Sequence, residues 1–172
     1  MARIEPYLGR LYRYAFSLCR NEDAARDLVQ QCAVKALSAG SVPIDEAAFR
    51  SWLFVILRNT LIDDRRRHRS AESARVAVAE YEYRPEMEFW REDERLINTL
   101  SVKQAMGKLG ENDREIIGLV DLAGLSYAEA ADVLDIPVGT VMSRVSRARG
   151  RLLALLKPSN VTPIPLRKRR GG

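Results

Sequence analysis

Gly124-Leu125-Ser126-Tyr127-Ala128-Glu129-Ala130-Ala131-Asp132-Val133-Leu134-Asp135-Ile136-Pro137-Val138-Gly139-Thr140-Val141-Met142-Ser143-Arg144-Val145-Ser146-Arg147-Ala148-Arg149 reads as two helices joined by a tight turn. Gly124 suits a helix end that needs a left-handed residue. Ser126 with Glu129 three positions on is a capping box, each side chain able to satisfy an amide at the next helix start. Leu134-Asp135-Ile136-Pro137 closes that helix, and Pro137 fits the first turn of the next, where its missing N–H costs nothing. The second helix is predicted to run from Val138 to about Leu156. This is the layout of a helix-turn-helix, whose second helix enters the major groove of DNA.

The faces of that second helix agree. Val141, Val145, Ala148, Leu152 and Leu155 recur at spacings of four and three, one apolar stripe for a core. Thr140, Ser143, Arg144, Arg147 and Arg151 project elsewhere and are the candidate base and phosphate contacts. Arginine bridges the two major-groove acceptors of guanine, and hydroxyls reach bases or phosphates. A solvated basic face would carry the same arginines, but not the capped helix and turn before them.

Working outward, the chain of 172 residues has room for one or two domains, and its 47% hydrophobic content can build cores. A net charge of +5 favours a polyanionic partner. No apolar run is long enough to span a membrane and no secretory signal is visible, so a cytoplasmic protein without membrane insertion is expected. The two cysteines, Cys19 and Cys32, lie inside helical patterns without CxxC spacing, and there is a single histidine. No metal site is expected, and the cysteines read as small buried apolar residues. No Gly-rich phosphate loop, nucleophile motif or His/carboxylate cluster is present, so neither a cofactor nor catalytic residues are expected.

The expected fold is all-α, two small helical domains joined by a flexible acidic linker, the second containing the helix-turn-helix. Residues 1–69 form the first. Pro6 starts a helix to about Arg20 with Leu8, Leu11, Tyr12, Ala15, Phe16 and Cys19 inward. Asn21 caps a second helix with an acidic first turn, Glu22 and Asp23, which ends near Gly40. After the loop Ser41–Ile44, Asp45 caps a long helix whose core face is Phe49, Trp52, Leu53, Ile56 and Thr60. Residues 70–95 turn acidic, are broken by Pro85, and read as the linker. Residues 96–157 form the second domain, and residues 158–172 a basic, disordered tail.

The long first-domain helix carries a second constellation. Arg58, Ile62, Arg65 and Arg69 lie along a stripe, thickened by Arg66, Arg67 and His68, with the aromatic Trp52 and Phe54 earlier on. Cations for phosphates beside aromatics for exposed bases are what melted DNA requires. The alternative is a core tryptophan with a basic helix end interacting with its own carbonyls. The segment alone leaves both open.

Taken together, these segments resemble one family. Tyr12–Phe16, Glu22–Gln31 and Phe49–Arg67 look like the second conserved region of extracytoplasmic-function (ECF) sigma factors. Leu109, Asp113-Arg114-Glu115 and Gly124–Arg149 look like the fourth region, in the right order and with no third-region domain between. Asp135 departs from the usual glycine, implying a turn without its left-handed glycine, and Met142 replaces a common basic residue.

The resemblance implies roles by motif position. Asp27, Gln30 and Gln31 would dock on the clamp helices of the largest subunit of core RNA polymerase. Trp52, Arg58, Asn59, Arg65 and Arg66 would bind and open the promoter minus-ten element, with Asn59 near a pocket for a flipped base and the loop before Asp45 closing it. Extruding a base costs a few kcal/mol, which a specific pocket must recover. Thr140, Ser143, Arg144, Arg147 and Arg151 would read the minus-thirty-five duplex. The acidic linker would thread polymerase channels near the active centre. An anti-sigma factor is the typical further partner, in stress or envelope responses, and no catalysis is implied. A sigma-mimicking response regulator would need a phosphoreceiver domain for which there is no room. A stand-alone helix-turn-helix regulator would leave Trp52–Arg69 unexplained.

Overall fold

The computed structural model describes residues 3–72 and 93–156, and between 69–72 and 93–99 the backbone alone. The linker and tail expectations therefore lie largely outside the described residues. All regular structure among those described is helical.

A single 3-10 turn, Glu5–Tyr7, with Pro6 in its first positions, leads into α1, Leu8–Cys19. Arg20 closes α1 in the left-handed region at φ 56°. Asn21 then caps α2, Glu22–Leu37, its side chain accepting from Ala24 N at 2.9 Å. Asp45 caps α3, Glu46–Glu72, in the same way through Ala48 N at 2.9 Å. Side-chain oxygens here satisfy amides that a helix start leaves without intrahelical acceptors. α2 packs between α1 and α3, burying Leu28 and Cys32 against a layer that includes Leu11, Ala15, Leu53 and Leu57. Each fully buried aliphatic side chain contributes about 1.5–3 kcal/mol. Thr60, also fully buried, donates to the Ile56 carbonyl and accepts from Lys35 Nζ at 2.9 Å.

The second unit begins with α4, Asp93–Lys108, and α5, Glu111–Ile117. α3 continues through Glu72 and α4 starts at Asp93, so both ends of the expected 70–95 linker are helical. α5 widens into a π-helical segment, Gly118–Leu122, in which Ala123 N donates to Gly118 O at 2.9 Å. Gly124 follows at φ 70°. α6, Tyr127–Leu134, starts in the capping box: Glu129 N donates to Ser126 Oγ at 3.2 Å and Ser126 N to Glu129 Oε2 at 2.8 Å. α7, Val138–Leu156, has Pro137 just before it, its carbonyl accepting from Thr140 and Val141.

Several expectations are corrected. Leu8 of α1 is exposed and Tyr12, Phe16 and Cys19 are only half-buried, whereas Tyr14 and Leu18 are buried. The reason is that α1 lies between the two units and is covered on two sides, against α2 and α3 and against α5 and the π segment. Phe54 is likewise fully buried, its ring 5.6 Å from that of Tyr14, and has no face left for a base. In α7, Val141, Val145 and Ala148 are buried, but Leu155 is exposed because the helix outruns its packed core. Asp135 takes the left-handed conformation itself, at φ 53° and ψ 51°. Aspartate tolerates that region better than most residues, so the turn survives without glycine.

Candidate nucleic-acid interface

α7 offers the first surface. Arg144 and Arg147 are exposed beside Ser143, while Thr140 is half-buried. Ser143 Oγ donates to the Thr140 carbonyl at 3.0 Å, and Arg147 Nε to the Ser143 carbonyl at 3.3 Å, so the helix itself aligns this row. Arg151 differs: one of its nitrogens lies 2.7–2.8 Å from both carboxylate oxygens of Asp113 on α5. Arg149, which the sequence pattern did not single out, grips Asp121 at 2.6 and 3.1 Å. That hydrogen-bonded pairing raises its pKa further. These two arginines hold α7 to α5 and its π extension and leave Ser143, Arg144 and Arg147 as the outward set.

α2 offers the second. Asp27, Gln30 and Gln31 are all exposed at i, i+3 and i+4, a contiguous polar face opposite Leu28 and Cys32.

α3 divides the five remaining candidates in two. Trp52, Asn59 and Arg66 recur every seventh residue on one side; Trp52 is half-buried and the other two are exposed. Trp52 rests on Phe49, ring to ring at 5.7 Å, and Phe49 is backed by Tyr7 and by the Arg3 guanidinium 4.2 Å over its ring. Arg3 also donates to the Pro43 and Ile44 carbonyls, at 2.8 and 2.6 Å, fixing the loop before Asp45 beside this aromatic stack. Arg58 and Arg65 lie on the neighbouring stripe and face the second unit. Arg58 Nε donates to Glu115 Oε1 at 2.8 Å, and Arg65 pairs with Glu111. His68 is exposed, its Nδ1 2.8 Å from the Asp64 carbonyl.

Sequence reasoning missed the surface on which the units meet. Arg50 of α3 lies 2.8 Å from Glu129 as an ion pair, although its Nε–H is not aligned for a hydrogen bond. Arg10 and Arg13 of α1 donate to the carbonyls of Leu122, Ala123 and Gly124, capping the end of the π segment. Tyr14 Oη is 3.4 Å from Glu115 Oε1; burial, and then that carboxylate, push its phenol well above the ordinary value, so it remains a neutral donor. Gly118 lies so close to α1 that a Cβ there would stand 2.4 Å from Ser17 Oγ. Only the i, i+3 spacing of Arg10 and Arg13 hints at any of this in the sequence.

Among the described residues no helix is long and apolar enough to cross a membrane, and no group of three or more His, Cys, Asp or Glu could hold a metal ion. The surfaces are suited to polyanion and protein contact.

The comparisons with known proteins agree with this architecture. Residues 3–71 match the family model for Sigma-70 region 2, and residues 99–152 that for Sigma-70 region 4. The ECF RNA polymerase sigma factor EcfG of Rhodopseudomonas palustris is 37% identical over 148 residues, covering 85% of this chain and 78% of the relative. The ECF RNA polymerase sigma-E factor of Escherichia coli is 34% identical over 131 residues, 72% of this chain and 69% of the relative. Among solved structures, the sigma factor RpoE in complex with the anti-sigma factor NepR from Bartonella quintana superposes with TM-score 0.68 at 32% identity, covering 92% of this chain and 96% of that one. CnrH in complex with the cytosolic domain of CnrY gives 0.59 at 31% identity, covering 92% and 85%. The class is that of two-region sigma-70-type transcription initiation factors, and within it the chain belongs to the ECF sigma factors.

Proposed function

We propose that this sigma factor reads its promoter at two places while docked on RNA polymerase, and that it acts by binding alone. Residues 1–69 and 96–157 are the two reading units and 70–95 the acidic connection between them. Asp27, Gln30 and Gln31 on α2 dock on the polymerase clamp helices. Trp52, Asn59 and Arg66 on α3, with Arg58 and Arg65, bind and open the minus-ten element. Thr140, Ser143, Arg144 and Arg147 on α7 read the minus-thirty-five duplex, while Arg151 supports α7 from behind. The observation that carries this reading is the coexistence, on one chain, of an exposed α2 face, an aromatic-and-amide stripe on α3 and an exposed arginine row on a helix-turn-helix. A stand-alone regulator needs only the last.

CnrH was solved with the cytosolic domain of CnrY, and RpoE with the anti-sigma factor NepR. We extend that form of control to this chain, acting in the cytoplasm. The test is in vitro transcription with purified core polymerase and a genomic promoter library. Initiation at defined starts that depends on this protein alone is the expected result. Binding to upstream duplex without any initiation would replace the reading with that of a stand-alone regulator.

A further inference from the structure

Two of the three arginines assigned to the melted strand, Arg58 and Arg65, are already occupied. Arg58 and Arg65, seven residues apart on α3, face Glu115 and Glu111, four apart on α5. The Arg58–Glu115 pair is partly sheltered, with side-chain exposures of 28% and 18%, and the Tyr14 hydroxyl approaches the same carboxylate. Around it the units meet closely: Gly118 against Ser17 and Tyr14, Arg10 and Arg13 on the π-segment carbonyls, and one apolar core running through both. A guanidinium holds carboxylate and phosphate through the same planar N–H fork, so it cannot hold both at once. The other surfaces are uncovered: Asp27, Gln30 and Gln31 on α2, and Arg144 and Arg147 on α7.

We propose that Glu111 and Glu115 are an internal substitute for promoter phosphates, keeping α3 from holding single-stranded DNA until the second unit swings away. This rests on the reading of Arg58 and Arg65 given above. The closed chain can dock on polymerase through α2 but offers a melted strand only Arg66 of the three arginines, and so holds it weakly. Polymerase binding therefore comes first, and strand capture follows opening. Polymerase drives the change only by binding the open form more tightly.

The test measures binding of the free, full-length chain to a fluorescein-labelled pool of random single-stranded DNA, with a dye pair on α2 and α7 reporting opening. Glu111→Gln with Glu115→Gln is expected to lengthen the dye distance, to tighten strand binding on the order of tenfold, and to tighten core polymerase binding as well, because polymerase prefers the open form. Glu5→Gln with Asp132→Asn, an equal change of charge elsewhere, is expected to do neither. Arg58→Ala with Arg65→Ala should cost nothing in the parent chain and remove the whole gain in the opened one, a non-additivity that charge alone does not produce. Gly118→Val, a wedge against Ser17, is a second way to open the interface and should also tighten strand binding. An opened chain whose strand affinity is no better than the charge control's overturns the proposal. If instead the two arginines matter neither to strand binding nor to promoter opening on polymerase, it is the underlying assignment that fails.

Discussion

Asp135 is a residue whose role became plain only in three dimensions. In the sequence it stands where a glycine would be unremarkable; in the fold it holds the left-handed conformation between α6 and α7, at φ 53°. Asp135→Gly should stabilise the protein by about 0.5–1 kcal/mol, and Asp135→Val should cost about 1–2 kcal/mol. Urea midpoints of the three proteins check this, and a glycine variant that melts earlier would show the aspartate to be contributing more than backbone. Cys32 behaves as the sequence predicts, a fully buried apolar residue whose thiol approaches the Leu53 carbonyl at 3.5 Å. Burial pushes its pKa from 9 up to about 12. The thiol is ionised in the unfolded chain above pH 9 but held neutral in the folded one, so its contribution to stability is complete below pH 9 and is lost as pH rises toward 12. Ellman's reagent at pH 8 should therefore label Cys32 only at the rate of opening, and fast labelling of both thiols of the native protein, rather than of the half-buried Cys19 alone, would contradict the buried assignment.

At the scale of the helix, what was legible was local. Asn21, Asp45 and the Ser126–Glu129 box announce their helices because the capping bond spans three residues and needs no partner from elsewhere. The covered sides of α1 and α3 were only half legible. On α1 the buried Leu11, Tyr14, Ala15 and Leu18 keep helical spacing but compete with an equally apolar stripe through Tyr12, Phe16 and Cys19. On α3 Phe54 lies about 100° round from Leu53, off the stripe that Leu53, Leu57 and Thr60 share. The π segment was not legible at all, since its wide turn is stabilised by Arg10 and Arg13 reaching from more than a hundred positions earlier. On α7 the residues divide by task. Arg147→Ala is expected to cost about 1–3 kcal/mol in binding the upstream element and to relax its sequence preference. Arg151→Ala is expected to leave preference intact and to lower stability by at most about 1 kcal/mol, the worth of a partly exposed ion pair. Competition binding on matched and mismatched duplexes, beside thermal melts, separates the two; equal loss of discrimination in both would return Arg151 to the DNA surface.

Over the whole molecule, the sequence suggests two bodies on a tether unless they bury apolar surface against each other, and the described residues meet that condition. Tyr14 and Leu11 share one continuous core with Ile116, Leu119 and Ala123. The free chain is therefore expected to unfold in one cooperative transition, with far-ultraviolet circular dichroism and tryptophan fluorescence changing together. Gly118 is the position on which this depends most. An alanine there would usually favour a helix, yet its Cβ would press on Ser17 Oγ at 2.4 Å and Tyr14 Cδ2 at 3.1 Å. Gly118→Ala should cost about 1–3 kcal/mol, and Ser17→Ala added to it should restore part of the loss. No cost would mean that the approach of the two bodies is slack, and a cost without rescue would put the strain on Tyr14 rather than on Ser17.

The wide turn at Gly118–Leu122 has a consequence for how such a chain tolerates insertion and deletion. A π turn holds an additional residue without breaking the helix. Losing that residue would let the backbone relax to ordinary α geometry with the downstream helices nearly in phase, whereas losing one from the α turns before it would rotate everything downstream by about 100° around that axis. In the second case the helix-turn-helix would keep its own shape but present another edge. The phase and spacing between two halves of a promoter that one molecule can span are thus set, in part, by a single backbone register.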